Sequence, residues 1–133
     1  MLKLITAYLS TAIVFLAVDY VWLSHVATRF YRDQIGHLLM DKPNLAAAAV
    51  FYVLYVVGIV VFAVAPALRG ESFATAVLYG ALFGFFTYAT YDVTNYATLK
   101  DWPVLVVAVD VAWGTFLSAL SATLGYSLTR LVA

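Results

Sequence analysis

No cysteine occurs in the 133-residue chain, which excludes disulfides, thiolate metal sites and cysteine chemistry. Charge is scarce as well: 11% of the residues are Asp, Glu, Lys or Arg, against about 25% in a soluble domain. Seven basic residues balance seven acidic ones, so no global field favours nucleic acid or an anionic surface. There is no alternating period-2 pattern, no H-E-x-x-H or G-x-S-x-G motif, and no phosphate-binding glycine loop. What the chain has in plenty is apolar: 65% of residues are hydrophobic and the mean hydropathy is +0.98. Too few polar side chains remain to cover a globule of this size, so the solvent for most of its surface is lipid.

Four runs reach the roughly 20 apolar residues that a membrane span needs. They cover about Leu4–Val26, Leu45–Ala67, Phe73–Ala97 and Pro103–Leu128. In lipid such runs must be helices, which satisfy their own backbone polar groups. The expected fold is therefore an all-α integral membrane protein, with four transmembrane helices in an antiparallel bundle and a single domain over residues 1–133. The first run begins like a signal peptide but continues through "YVWLSHV", with no small-x-small site before Asp19, and reads as a retained helix. Asn44 is the expected N-cap of the second helix, Gly70-Glu71-Ser72 supplies that of the third, and Asp101 that of the fourth, with Pro103 in its first turn. The second and third loops are short and imply antiparallel hairpins. The connection over Ala27–Pro43 is longer, and reads either as a polar loop or as a short amphipathic helix in the headgroup region. Lys3, Arg69 and Arg130 face one side; Arg29, Arg32, Lys42 and Lys100 face the other. Three against four is too even to fix orientation, and the excess of one leans towards a cytoplasmic Arg29/Arg32 side with both termini outside.

Small residues recur at every fourth position in two helices. Ala76, Gly80 and Gly84 form one stripe, and Gly114, Ser118 and Ala122 the other. Such stripes let helix backbones approach closely, here to seat the third helix on the fourth; homodimerisation through either stripe is the alternative.

Acids are the exception inside these runs. "AVDYVW" at 17–22 and "AVDVAW" at 108–113 are nearly the same hexapeptide, and Asp92 repeats the pattern with Asn95 in place of tryptophan. Asp19 and Asp110 lie about 7 residues from the first and third loops and Asp92 about 5, so all three sit roughly 8–10 Å inside one membrane face. All three tryptophans and most tyrosines crowd into the same half, where Tyr and Trp are enriched in any case as an interfacial belt. Asn95 shares a helix face with Asp92, and Trp113 with Asp110. The expected polar pocket comprises Asp19, Trp22, Tyr52, Tyr88, Asp92, Asn95, Asp110 and Trp113. The competing reading makes the acids glue between helices, bonded to Tyr and Trp or paired with Arg29 or Arg32. Of the two histidines, His25 lies six residues from Asp19. Oxygen ligands of this kind suit a hard divalent cation, but no metal-ligand spacing occurs, so no metal or cofactor is assigned.

The segments "VDYVWL", "FYRDQIG", "FYVLYVVG", "GALFGFF" and "YDVTNYATLKDWP…VDVAWG" stand in an order and spacing that resemble a bacterial family of small integral membrane proteins. That family is catalogued as domain of unknown function 2177. The resemblance covers essentially the whole chain and implies a four-helix protein of the bacterial inner membrane. It supplies no activity. The motif residues it points to are Asp19, Trp22, Asp92, Asn95, Trp102, Pro103, Asp110 and Trp113.

Three functions compete. An acidic layer under aromatic rings suits binding or transport of a small cation, an amine or a proton-coupled solute. Four helices are few for an alternating-access carrier, so transport would call for a dimer. A site at headgroup depth also suits an enzyme or accessory factor acting on a lipid or isoprenoid, with Asp as acid–base group. Third, the chain is a structural or assembly subunit whose acids fix helix register.

Overall fold

A computed structural model describes all 133 residues. It is helical throughout, with α1 Leu2–Trp22, α2 Thr28–Ile35, α3 Leu45–Ile59, α4 Ala65–Gly70, α5 Phe73–Thr98 and α6 Val104–Val132. A π-helical turn, Leu23–Ala27, joins α1 to α2, and another, Val60–Val64, joins α3 to α4. These elements make four continuous helical spans, Leu2–Leu38, Leu45–Gly70, Phe73–Thr98 and Val104–Val132, each long and apolar enough to cross a membrane. Only 29 of the 133 residues are buried, and the exposed ones include Leu4, Ile13, Leu54, Phe62 and Phe86. So large an apolar surface is what lipid, and not water, would cover.

The spans pack as an antiparallel bundle. α6 lies against α1, α5 and the second span, and the second span also touches α1 and α5. The two small-residue stripes meet within the chain. A Cβ on Gly80 would stand 2.8 Å from the Ala122 Cβ and 2.9 Å from the Ser118 carbonyl oxygen. One on Gly114 would fall inside the Tyr88 ring. Both stripes are thus covered by α5 and α6 themselves, as the intramolecular reading expected. Gly80→Ala should lower stability by at least about 1 kcal/mol, because backbone on α6 cannot give way as a side-chain tip could. An unfolding titration of the purified protein would check this.

Two expected caps are in place. Asn44 Oδ1 accepts from Ala47 N at 3.0 Å, and Ser72 Oγ from Thr75 N at 3.1 Å. Before Ser72, Glu71 takes a left-handed φ of 48°, and Ser72 N bonds back to the Ala67 carbonyl at 3.0 Å, closing the α4 end. The third cap differs from expectation. Pro103, not Asp101, is the N-cap of α6, and Asp101 sits two residues earlier in a left-handed turn (φ 60°). The ring of Pro103 disfavours helical backbone at Trp102, so α6 starts only after the proline.

The first connection also departs from expectation. Most of Ala27–Pro43 is a direct continuation of the first helix, neither a polar loop nor a separate helix lying flat. Thr28 Oγ1 donates to the Leu23 carbonyl at 2.8 Å across the π-helical turn. At about 1.5 Å per residue the Leu2–Leu38 helix is about 55 Å long, against roughly 30 Å of hydrocarbon, so α2 stands beyond the membrane core. There its Arg29, Arg32 and Asp33 cost nothing to hydrate. Its apolar residue Ile35 is buried against Trp102 and Val106, so α2 roofs the start of α6.

Candidate functional site

The two near-identical hexapeptides meet because α1 and α6 run antiparallel side by side. Asp19 on α1 accepts a hydrogen bond from the Trp113 indole Nε1 on α6 at 3.2 Å, and a second from the Tyr52 hydroxyl on α3 at 2.8 Å. Trp22 stacks on Trp113, with ring centroids 4.3 Å apart and planes 10° from parallel. The tryptophan of the second hexapeptide therefore serves the aspartate of the first. Trp113 shares a helix face with Asp110, yet its indole N–H is spent on Asp19.

One layer deeper, the Tyr55 hydroxyl lies 2.8 Å from Ser118 Oγ and 3.0 Å from Thr87 Oγ1, tying α3, α5 and α6 together. Phe15 packs edge-on against Tyr52, with centroids 5.5 Å apart. The Tyr88 ring covers Gly114 and meets Tyr55 edge-on at 6.1 Å. This is a packed floor.

Asp92 and Asp110 are placed otherwise. Asp92 on α5 is 0% exposed, and neither of its carboxylate oxygens has a hydrogen-bond partner. The Trp102 indole N–H, directed towards it, is also buried and unpartnered. Asn95, one turn further along α5, does not reach the carboxyl. Asp110 on α6 is 7% exposed and lines a cavity of about 590 Å³ beneath α2. Tyr31, Tyr91 and Trp102 form aromatic walls of this cavity, and the exposed Arg32 stands at its rim. Arg32 makes no ion pair with Asp110.

The eight expected site residues therefore fall into three environments within one half of the bundle. Asp19, Tyr52 and Trp113 form a hydrogen-bonded unit, with Trp22 stacked on Trp113. Asp92 is sealed, with Tyr88 a turn below and half-buried Asn95 a turn above. Asp110 lines the cavity beneath α2. No three or more His, Asp or Glu side chains come together in a way that could hold a metal ion. His25 is exposed beside Trp22 and lies outside the Asp110 cavity. The site list drawn from the sequence omitted Trp102, Tyr91, Tyr31 and Arg32. Trp102 and Arg32 were visible as motif residue and candidate ion-pair partner; nothing in the spacing marks Tyr31 or Tyr91, since α2 is what brings Tyr31 over the bundle.

A four-span antiparallel bundle with an acidic, aromatic layer near one end defines a polytopic membrane protein. Residues 4–127 match the predicted membrane protein family DUF2177, and the chain belongs to that family. No curated protein and no solved structure matches the chain at the significance required.

Proposed function

We propose that this chain is a binding protein of the bacterial inner membrane for a small organic cation, in the first place an amine, and that Asp110 is its anionic contact. One observation carries the reading: Asp110 is more than nine-tenths buried, accepts no hydrogen bond from the protein, and keeps its remaining exposure on an aromatic-walled cavity of about 590 Å³. A carboxylate without donors in apolar surroundings gains most from a cation, and the faces of Tyr31, Tyr91 and Trp102 add cation–π attraction. The volume falls within the roughly 300–1,000 Å³ usual for small-molecule sites. Asp19 takes a different part. With both oxygens hydrogen-bonded across three spans, it supports the glue reading for that residue, while Asp92 borders the site behind Trp102.

The test is thermal unfolding of the purified protein with millimolar ethanolamine, tetramethylammonium, sodium or magnesium. An amine at about 100 times its Kd should stabilise the wild type by about 2.7 kcal/mol, and should leave Asp110→Asn unmoved while that variant still folds. An amine effect that survives in Asp110→Asn, or none in the wild type, overturns the assignment. Transport would need a partner surface other than the two small-residue stripes, since those are taken up between α5 and α6.

A further inference from the structure

The Asp110 cavity has a side door. Every residue from Asp41 to Phe51 is exposed, including the first two turns of α3, so α3 stands away from the rest of the bundle at that level. Between α3 and α5 lies a second cavity of about 410 Å³, walled by Phe51, Tyr52, Tyr55, Thr87, Tyr88 and Tyr91. Tyr91 belongs to both cavities, so the two adjoin across its ring. The Tyr52 and Tyr55 hydroxyls are already engaged by Asp19 and Ser118. Apart from the Tyr88 and Tyr91 hydroxyls, what this cleft offers an occupant is ring faces, which suit a hydrocarbon chain. The head cavity, in turn, presents both signs of charge: the buried Asp110 carboxyl in its wall, and the exposed Arg32 guanidinium and Asp41 carboxylate in its outer lining, with no ion pair between Arg32 and either acid.

We infer that the amine bound at Asp110 is the headgroup of a zwitterionic aminophospholipid, with its ammonium on Asp110, its phosphate on Arg32, and an acyl chain passing over Tyr91 into the tyrosine cleft between α3 and α5. This rests on the amine reading above and narrows it to a lipid that enters sideways from the bilayer. A guanidinium matches a phosphate in geometry and charge, and a rim position lets Arg32 meet it at headgroup level. A free cation would leave Arg32 without a role and the cleft without an occupant.

The experiment reconstitutes the protein into bilayers of equimolar phosphatidylethanolamine and phosphatidylglycerol and identifies the lipid retained after extraction by native mass spectrometry. Phosphatidylethanolamine should be retained over phosphatidylglycerol by about fivefold or more, the effect of roughly one charge-assisted contact. Asp110→Asn should abolish the preference and Asp110→Glu should keep part of it, whereas Arg32→Gln, which loses the phosphate contact common to both lipids, should lower the retention of both. Circular dichroism and melting of each variant separate lost binding from lost fold. Glycerophosphoethanolamine, the same headgroup without chains, should protect far less than the lipid at equal concentration. Equal protection would overturn the lateral cleft, and an undiscriminating wild type or a preference that survives in Asp110→Asn would overturn the lipid assignment. If ethanolamine stabilises through Asp110 while no lipid preference is seen, the lipid inference falls and the amine reading stands. If neither is seen, both fall.

Discussion

Replacing Asp19 by valine is expected to lower the stability of the protein by about 2–5 kcal/mol, the largest loss from any single change in the acidic layer. The carboxylate is the acceptor for two half-buried donors from different spans, the Tyr52 hydroxyl at 2.8 Å and the Trp113 indole N–H at 3.2 Å. Removing it leaves both without an acceptor inside the bundle, at up to roughly 1–3 kcal/mol for each orphaned group. The loss should spread along the helix pair, because Trp113 is held in place for its stack on Trp22. Asp19→Asn should fall between, since an amide oxygen can still accept one of the two bonds. Unfolding in mixed micelles, followed by tryptophan emission, measures the series. A stability change under about 0.5 kcal/mol for Asp19→Val, the range of an ordinary surface substitution, would mean that these bonds do not hold the spans together.

The same residue shows where sequence reading reaches its limit. Depth along a helix follows from counting residues at a fixed rise, so the shared level of the acids was legible, and Asp19 on α1 does meet Trp113 on α6. Stripe and partner stripe were legible for a similar reason: glycine and alanine at every fourth position leave room that only another backbone can fill, and Gly80 lies against Ser118 and Ala122. Rotation about each helix axis was not legible. That Trp113 shares a face with Asp110 does not say which partner its indole finds; it reaches across to α1, and only the packing of α1 on α6 decides that. At "RFYRDQ" polarity left loop and short helix both open; the segment is helical, but as an extension of the first span, and a helix that has left the hydrocarbon can carry those charges on α2 without cost. Trp102 escaped the site list because its place depends on this extension, which presses Ile35 onto it from above. Asp101 shows the opposite failing, a local signal overruled by a stronger local one. Its side chain suits an N-cap, but Pro103 moves the start of α6 beyond its reach.

The same substitution at Asp92 should act in the opposite direction. Asp92→Val is expected to raise stability by about 1–3 kcal/mol, because it removes a buried carboxyl that has no hydrogen-bond partner and replaces it with an apolar side chain of comparable size. Burial is complete, so no solvent offsets the cost of the polar group. The one donor directed at it, the Trp102 indole, falls short of hydrogen-bond geometry, so losing Asp92 removes only a long, weak contact. A gain at Asp92 beside a loss at Asp19, for one substitution in one layer, would separate an acid that builds the fold from one that the fold carries at a cost. Buried polar groups left unsatisfied are rare, and those held inside membranes concentrate where ligands or protons pass. Trp102 connects that cost to function, since its ring walls the Asp110 cavity while its N–H faces Asp92. Amine protection should therefore weaken in Asp92→Val although the protein becomes more stable, and measuring both on one sample makes the two effects separable. Destabilisation of Asp92→Val on the scale of Asp19→Val would instead mean that the carboxyl has a partner, and that Asp92 belongs with Asp19 among the contacts that hold the bundle together.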